Sequence, residues 1–273
     1  MIPPKELIEL LKTEDYFIIS THVSPDGDGL GSSIALSMAL NQINKKTILV
    51  CKDPVPNQCR FLPGQEGFIS IEDIKSKPNL NHFKYLILVD CNDIDRIFDK
   101  NKMEEYKKFF SSLHSIVIDH HETEKSFGDI RWVMPHAPAT GLMIYYLIKK
   151  LGIKITTEIA INLYAALVTD TGNFRYENTN NEVLNISAEL IRAGAVPNLI
   201  YRELFESWSK GRFTLFTKVL NTLDIKDKIA TVEVTKKMFE ETETNPDDTE
   251  HFVEFFKIMK DIEIAVLFRE IDN

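Results

Sequence analysis

Cysteine is scarce in this chain, with Cys51, Cys59 and Cys91 the only three among 273 residues. Their odd number and irregular spacing exclude a disulfide framework and a thiolate zinc knuckle, and leave plain reduced thiols. Long apolar runs are missing as well. No stretch of about 18 apolar residues occurs, so a membrane-spanning helix is not expected. The start, Met1-Ile2-Pro3-Pro4, has neither the basic opening nor the apolar middle of an export signal, which predicts a cytoplasmic protein. Positive charge is the third shortage. Lys and Arg number 32 against 41 Asp and Glu, for a net charge of −9. Gripping long nucleic acid takes many cationic contacts to phosphates, so that class of partner is excluded and an anionic ligand would have to be drawn in locally, by metal. Internal repeats and low-complexity segments are also absent.

What is present is an ordinary globular composition, 44% hydrophobic and 27% charged. The length suits one large lobe and one smaller one. Over the first two thirds, short β-branched runs alternate with longer amphipathic stretches, which predicts an α/β fold with parallel strands and crossover helices. The strands are Tyr16–Ser20, 47–50, Tyr85–Val89 and 115–118, nearly all apolar, as strands covered on both faces should be. Residues 29–43, 139–151 and 158–168 read as helices whose apolar stripes belong to the core. From about 181 to 224 the pattern is helical, a connector between lobes. Residues 228–234, 247–259 and 262–268 then read as strand, helix and strand of a partial α/β C-terminal lobe. The expected boundaries are therefore 1–180, 181–224 and 225–273.

Chemistry concentrates at strand ends. The first strand runs into Thr21-His22-Val23-Ser24-Pro25-Asp26-Gly27-Asp28-Gly29-Leu30-Gly31-Ser32, the third into Asp90, and the fourth into Asp119-His120-His121. A helix delivers a fourth segment, Thr169-Asp170-Thr171-Gly172. Open parallel sheets bind ligands beyond the carboxyl ends of their strands, so these segments are expected to meet in one crevice. Singly, each has a plainer explanation: Asp-Gly-Asp-Gly as a turn, His-His as structure, Thr-Asp-Thr-Gly as a helix stop. Their order and placement carry the argument. Imidazoles and carboxylates without thiolate suit manganese, with magnesium or cobalt as the other candidates. Four clustered carboxylates would repel one another and take up protons unless cations lay between them, which points to two divalent ions. Gly27, Gly29 and Gly31 are expected to shape a tight loop that turns Asp26 and Asp28 inward, with a helix N-terminus close by.

These four segments resemble, in order, the four motifs of the DHH phosphoesterases. The stretch from Pro54-Val55-Pro56 to Phe61-Leu62-Pro63-Gly64 is similar to the branch of short-RNA nucleases that also act as pAp phosphatases. The resemblance covers roughly residues 5 to 270. It implies that residues 1–180 are the DHH catalytic domain and 225–273 part of a DHHA1-like substrate-binding lobe. It implies one metal held by His22, Asp26 and Asp90 and another by Asp28, Asp90, His120 and Asp170, with Asp90 bridging. His121 would act near the leaving group, and Asp119 would orient the histidines. The family's small lobe carries a Gly-Gly-Gly-His run with nearby basic residues that bind substrate, and this sequence contains no such run.

The expected reaction is hydrolysis of phosphate esters in very short nucleotides, namely oligoribonucleotides of a few residues, linear dinucleotides or pAp, by water activated between two metals. His121 is the candidate general acid, because an unperturbed imidazole titrates near physiological pH. Ser24, Ser32 and Thr171 lack an activating triad and fit capping or turn roles better. The alternatives are a cyclic-dinucleotide phosphodiesterase, an inorganic pyrophosphatase and a non-catalytic nucleotide sensor. A Rossmann-type cofactor binder is disfavoured because the acids of the first loop would repel a pyrophosphate. Expected partners are short nucleotides, with no long nucleic acid and no membrane; a homodimer is left open.

Overall fold

The four apolar runs form the middle of one sheet, for a reason visible in their burial: successive residues point to opposite faces and both faces are covered. In the computed structural model, which describes residues 1–97, 103–123 and 127–270, the chain divides into two units, Met1–Glu206 and Ser207–Asn273. Residues 98–102, 124–126 and 271–273, the last of which close the expected C-terminal lobe, lie outside the described residues. The expected connector 181–224 is shared between the units.

The first unit contains α1 (Lys5–Thr13), β1 (Tyr16–Ser20), α2 (Gly27–Gln42), β2 (Lys46–Cys51), β3 (Phe68–Ser70), β4 (Tyr85–Val89), α3 (Met103–Phe110), β5 (His114–Asp119), β6 (Ile130–Val133), α4 (Thr140–Lys150), α5 (Thr157–Asp170), α6 (Asn181–Arg192) and α7 (Pro197–Tyr201). Its six strands are all parallel, in the order β3-β2-β1-β4-β5-β6. Phe17, Ile19, Ile87, Val89, Ile116 and Ile118 pack on one face with residues of α1, α2, α4 and α5. Ile18, Leu86, Leu88 and Val117 pack on the other with Ile71, Ile74, Tyr106 and Phe110. The sheet is thus doubly wound, and its strand order reverses between β1 and β4, which opens a crevice at their carboxyl ends. None of the described helices is long and apolar enough to cross a membrane.

Helix α2 begins at Gly27, two residues earlier than its sequence suggests, so the glycines do not form a loop. They lie in the helix and permit close approach. A Cβ on Gly31 would stand 2.4 Å from the main-chain oxygen of Asn162 in α5. Backbone cannot yield as a side chain can, so Gly31→Ala is expected to destabilise the protein by about 1–3 kcal/mol through overpacking. A chemical-denaturation midpoint equal to that of the wild type would contradict this.

The second unit comprises α8 (Lys210–Leu220), β7 (Asp224–Lys226), β8 (Ile229–Val234), α9 (Lys236–Thr242), α10 (Phe252–Phe256) and β9 (Ile264–Arg269). Strand β8 pairs antiparallel with β7 and parallel with β9. A separate core of Leu215, Phe216, Val219, Val232, Phe252 and Phe256 holds it together. The helix expected over 247–259 is interrupted, because His251 adopts a left-handed backbone (φ 64°) between a 3-10 turn at Pro246–Thr249 and α10.

Candidate metal centre

Each segment singled out in the sequence arrives at the crevice by a different route. Following β1, His22 leads to Asp26, which caps α2 by accepting hydrogen bonds from the main-chain N–H groups of Asp28 and Gly29, both at 3.0 Å. Asp28 therefore sits in the first turn of that helix, fully buried. Asp90 directly follows β4 in a left-handed backbone (φ 59°), a conformation that Asp tolerates better than most residues. Asp119 ends β5, ahead of His120 and His121, and Asp170 is the last residue of α5. Beyond it, Gly172, Asn173 and Phe174 all have positive φ. Asn178 braces that turn, its side-chain amide donating to the carbonyls of Asp170 (3.0 Å) and Pro138 (3.1 Å).

The ligand atoms converge in three overlapping groups, each within 4.8 Å: His22, Asp26 and Asp90; Asp28, His120 and Asp170; and Asp90, His120 and His121. Asp90 Oδ2 lies 3.5 Å from His22 Nε2, and its Oδ1 lies 3.5 Å from His120 Nε2. One carboxylate therefore faces both sides of the crevice. The histidines are oriented from behind. Nδ1 of His22 donates to the Val23 carbonyl at 2.8 Å and Nδ1 of His120 to the Ala137 carbonyl at 3.0 Å, so Nε2 of each ring turns to the acids. A backing acceptor of this kind is the usual support of a metal-binding imidazole. Asp119 holds His121 instead, its Oδ1 accepting from His121 Nδ1 at 2.8 Å and from His121 N at 3.1 Å. His120 takes its support from the main chain.

The charge balance also fits divalent cations. Burial, then Asp90 and Asp170, hold the Asp28 carboxyl well above its usual range. Asp170 is pushed up to about 6, by burial first and then by Asp26 and Asp90 against the pull of His120. Asp26 moves the other way, because His22 and two backbone N–H groups outweigh its burial. Burial disfavours charge on His22 and His120, yet the surrounding acids raise both to about 10. His120 Nε2 is buried 2.9 Å from Asp170 Oδ2 without the alignment of a hydrogen bond. Raised imidazoles beside raised carboxyls mark a cluster with more acid than its own cations balance, which divalent ions would relieve.

Residues 16–168, which include every acid and histidine of the crevice except Asp170, match the model of the DHH family, N-terminal domain. The chain belongs to the DHH family. Among its DHH relatives is the bifunctional oligoribonuclease and PAP phosphatase NrnA of Thermus thermophilus, 37% identical over 217 residues, which are 79% of this chain and 61% of that protein. The protein of the same name from Bacillus subtilis is 30% identical over 206 residues, covering 74% of this chain and 61% of that one. The chain therefore spans about three fifths of the length of these curated relatives. A solved structure of an exopolyphosphatase-related protein from Bacteroides fragilis is also similar, with a TM-score of 0.89, 26% identity, and coverage of 97% of this chain and 79% of that one.

Two contacts at the DHH site have no counterpart in the sequence reading. Asp53, after β2, accepts from the main-chain N of Ser24 at 2.7 Å and so pins the first loop, where Ser24 has a positive φ of 51°. The start of α4 grips two of the acids. Its only sequence signal is Ala139, a residue with no capping group at a helix start.

Proposed function

We propose that this chain carries the catalytic site of a two-metal phosphoesterase that hydrolyses short oligoribonucleotides and pAp. The observation that supports this reading above others is Asp90, whose two oxygens face His22 on one side and His120 on the other. In this reading His22, Asp26 and Asp90 hold one ion, Asp28, Asp90, His120 and Asp170 hold the other, and manganese suits the mixed imidazole and carboxylate donors. When bound, such a pair polarises phosphoryl oxygens, lowers the pKa of water and stabilises a leaving oxygen.

The chain's own residues supply the rest. Nδ1 of His121 is tied to Asp119, which leaves Nε2 of this half-exposed ring as the nitrogen that can give a proton to a leaving group. Asp119 is thereby an orienting group for the proton donor. Both helix starts at the crevice are already occupied by Asp26 and Asp28, so a phosphate would have to be held by the ions and by side chains, not by helix amides. The curated relatives named as oligoribonuclease and PAP phosphatase support the choice of substrate.

Turnover of pAp, a linear dinucleotide, a cyclic dinucleotide and pyrophosphate, each with manganese and with excess chelator, tests the proposal. The first two should be hydrolysed in a metal-dependent way. Full rates in chelator, or turnover of pyrophosphate alone, would overturn it. A chain of net charge −9 has no surplus of cations to follow a long backbone. Rates per molecule should therefore fall roughly tenfold or more between a dinucleotide and a 20-residue RNA, since only a few phosphates can be engaged. Equal rates on both lengths would show that a binding track exists elsewhere on the surface.

A further inference from the structure

Helix α4 starts without a cap of its own. Its N-cap residue is Ala139, whose side chain cannot accept a hydrogen bond, yet the first amides of the helix are not left unpaired. Thr140 N donates to Asp28 Oδ2 at 2.6 Å and Gly141 N donates to Asp28 Oδ1 at 2.8 Å. An acid from α2 thus serves as the cap of α4. The same Thr140 donates its hydroxyl to Asp90 Oδ1 at 2.9 Å. Thr140 and Asp28 are fully buried and Asp90 is 1% exposed, so water does not compete for these bonds.

We infer that Thr140 is a positioning residue of the metal centre, fixing Asp28 through its main chain and Asp90 through its hydroxyl.

The lone pairs show what this achieves. Asp28 Oδ1 accepts from Gly141 N and also from Ser32 Oγ at 2.9 Å, which uses both of its lone pairs. Oδ2 takes one bond from Thr140 N, and its remaining lone pair is the one available on the side of His120 Nε2, 3.8 Å away. Asp28 can therefore present one oxygen to a cation, in a single orientation. Asp90 gains a comparable restraint: the Thr140 hydroxyl takes one lone pair of Oδ1 and leaves the other, together with Oδ2, for the two sides of the crevice. Gly141 makes the approach possible, since a Cβ there would stand 2.5 Å from Ala166 Cβ and 3.4 Å from Asp28 Oδ1. Supporting donors behind metal ligands typically change affinity by about 10–100-fold.

This role rests on the two-metal reading, and the test separates the two. Thr140→Val keeps the shape and the main-chain N–H but removes the hydroxyl, while Thr140→Ser restores it; Thr140→Ala replaces the valine variant if that one does not fold. Manganese is titrated into each metal-free 273-residue protein by calorimetry, the bound ion is followed by its paramagnetic resonance spectrum, and dinucleotide turnover is measured in parallel. Thr140→Val should bind manganese about 10–100-fold more weakly with an altered spectrum, and lose kcat more than it changes KM, and Thr140→Ser should recover most of the affinity. Unchanged affinity and spectrum in Thr140→Val overturn the positioning role, even if the wild type hydrolyses dinucleotides. Weakened binding beside a wild type that hydrolyses no nucleotide upholds the role and overturns the proposed reaction. A wild type that binds no manganese overturns both.

Discussion

Asp90→Asn is expected to reduce turnover by about three orders of magnitude, the upper range seen when a single charge-stabilising group is lost. The same change should lower the bound metal below the level of the wild type. The reason is position: both oxygens of Asp90 face imidazole nitrogens at 3.5 Å, so one neutralised side chain weakens both halves of the site together. Asparagine is the informative replacement. It tolerates the left-handed backbone of this position and can still accept from the Thr140 hydroxyl, so the loss reports charge and not backbone strain. Metal content after gel filtration and turnover on the same sample give the answer. A variant with wild-type rates and metal would remove Asp90 from the centre of the site.

The second large effect separates neighbouring histidines. His121→Ala should keep most of its metal and lose turnover by about 10²–10⁴-fold, the usual contribution of a positioned proton donor. His120→Ala should lose metal, because His120 Nε2 reaches Asp28, Asp90 and Asp170. The competing possibility for His121 is also geometric, since its Nδ1 is 3.5 Å from Asp90 Oδ1. Yet that nitrogen is nearer to Asp119, at 2.8 Å, and the carboxylate can accept only if the proton is on Nδ1. Equal loss of metal in the two variants would assign His121 to the ions and leave the proton donor unidentified.

Much of this was legible from residue order because the central strands are buried on both faces. Tyr16–Ser20 and Tyr85–Val89 read as apolar runs for that reason, and the acids that follow them were found by position alone. The edges of the sheet escaped notice. Strand β3 has three residues and β6 carries the exposed Arg131, so neither displays the apolar run of a central strand. The glycines beside Asp28 were misread because a turn and a tight helix contact place the same demand on sequence, a residue without Cβ; the partner that Gly31 meets lies about 130 residues away. The break at His251 is invisible in an amphipathic pattern that continues on either side of it. Thr140 was missed because its bonds reach 112 and 50 residues back along the chain, distances no local spacing rule covers.

The caps that Asp26 and Asp28 supply to two helices have one more consequence, for the order of events. In small zinc modules the ion is part of the folding reaction, because the ligands have no other partners. Here the two acids complete helices within the chain's own architecture, and the imidazoles, raised by the acids around them, stay near their partners without an ion between them. In the two-metal reading, folding and loading are thereby uncoupled: the polypeptide can reach its native shape first and take up ions afterwards. In the same reading, one ion is then exchangeable for another in the finished protein without passing through an unfolded chain.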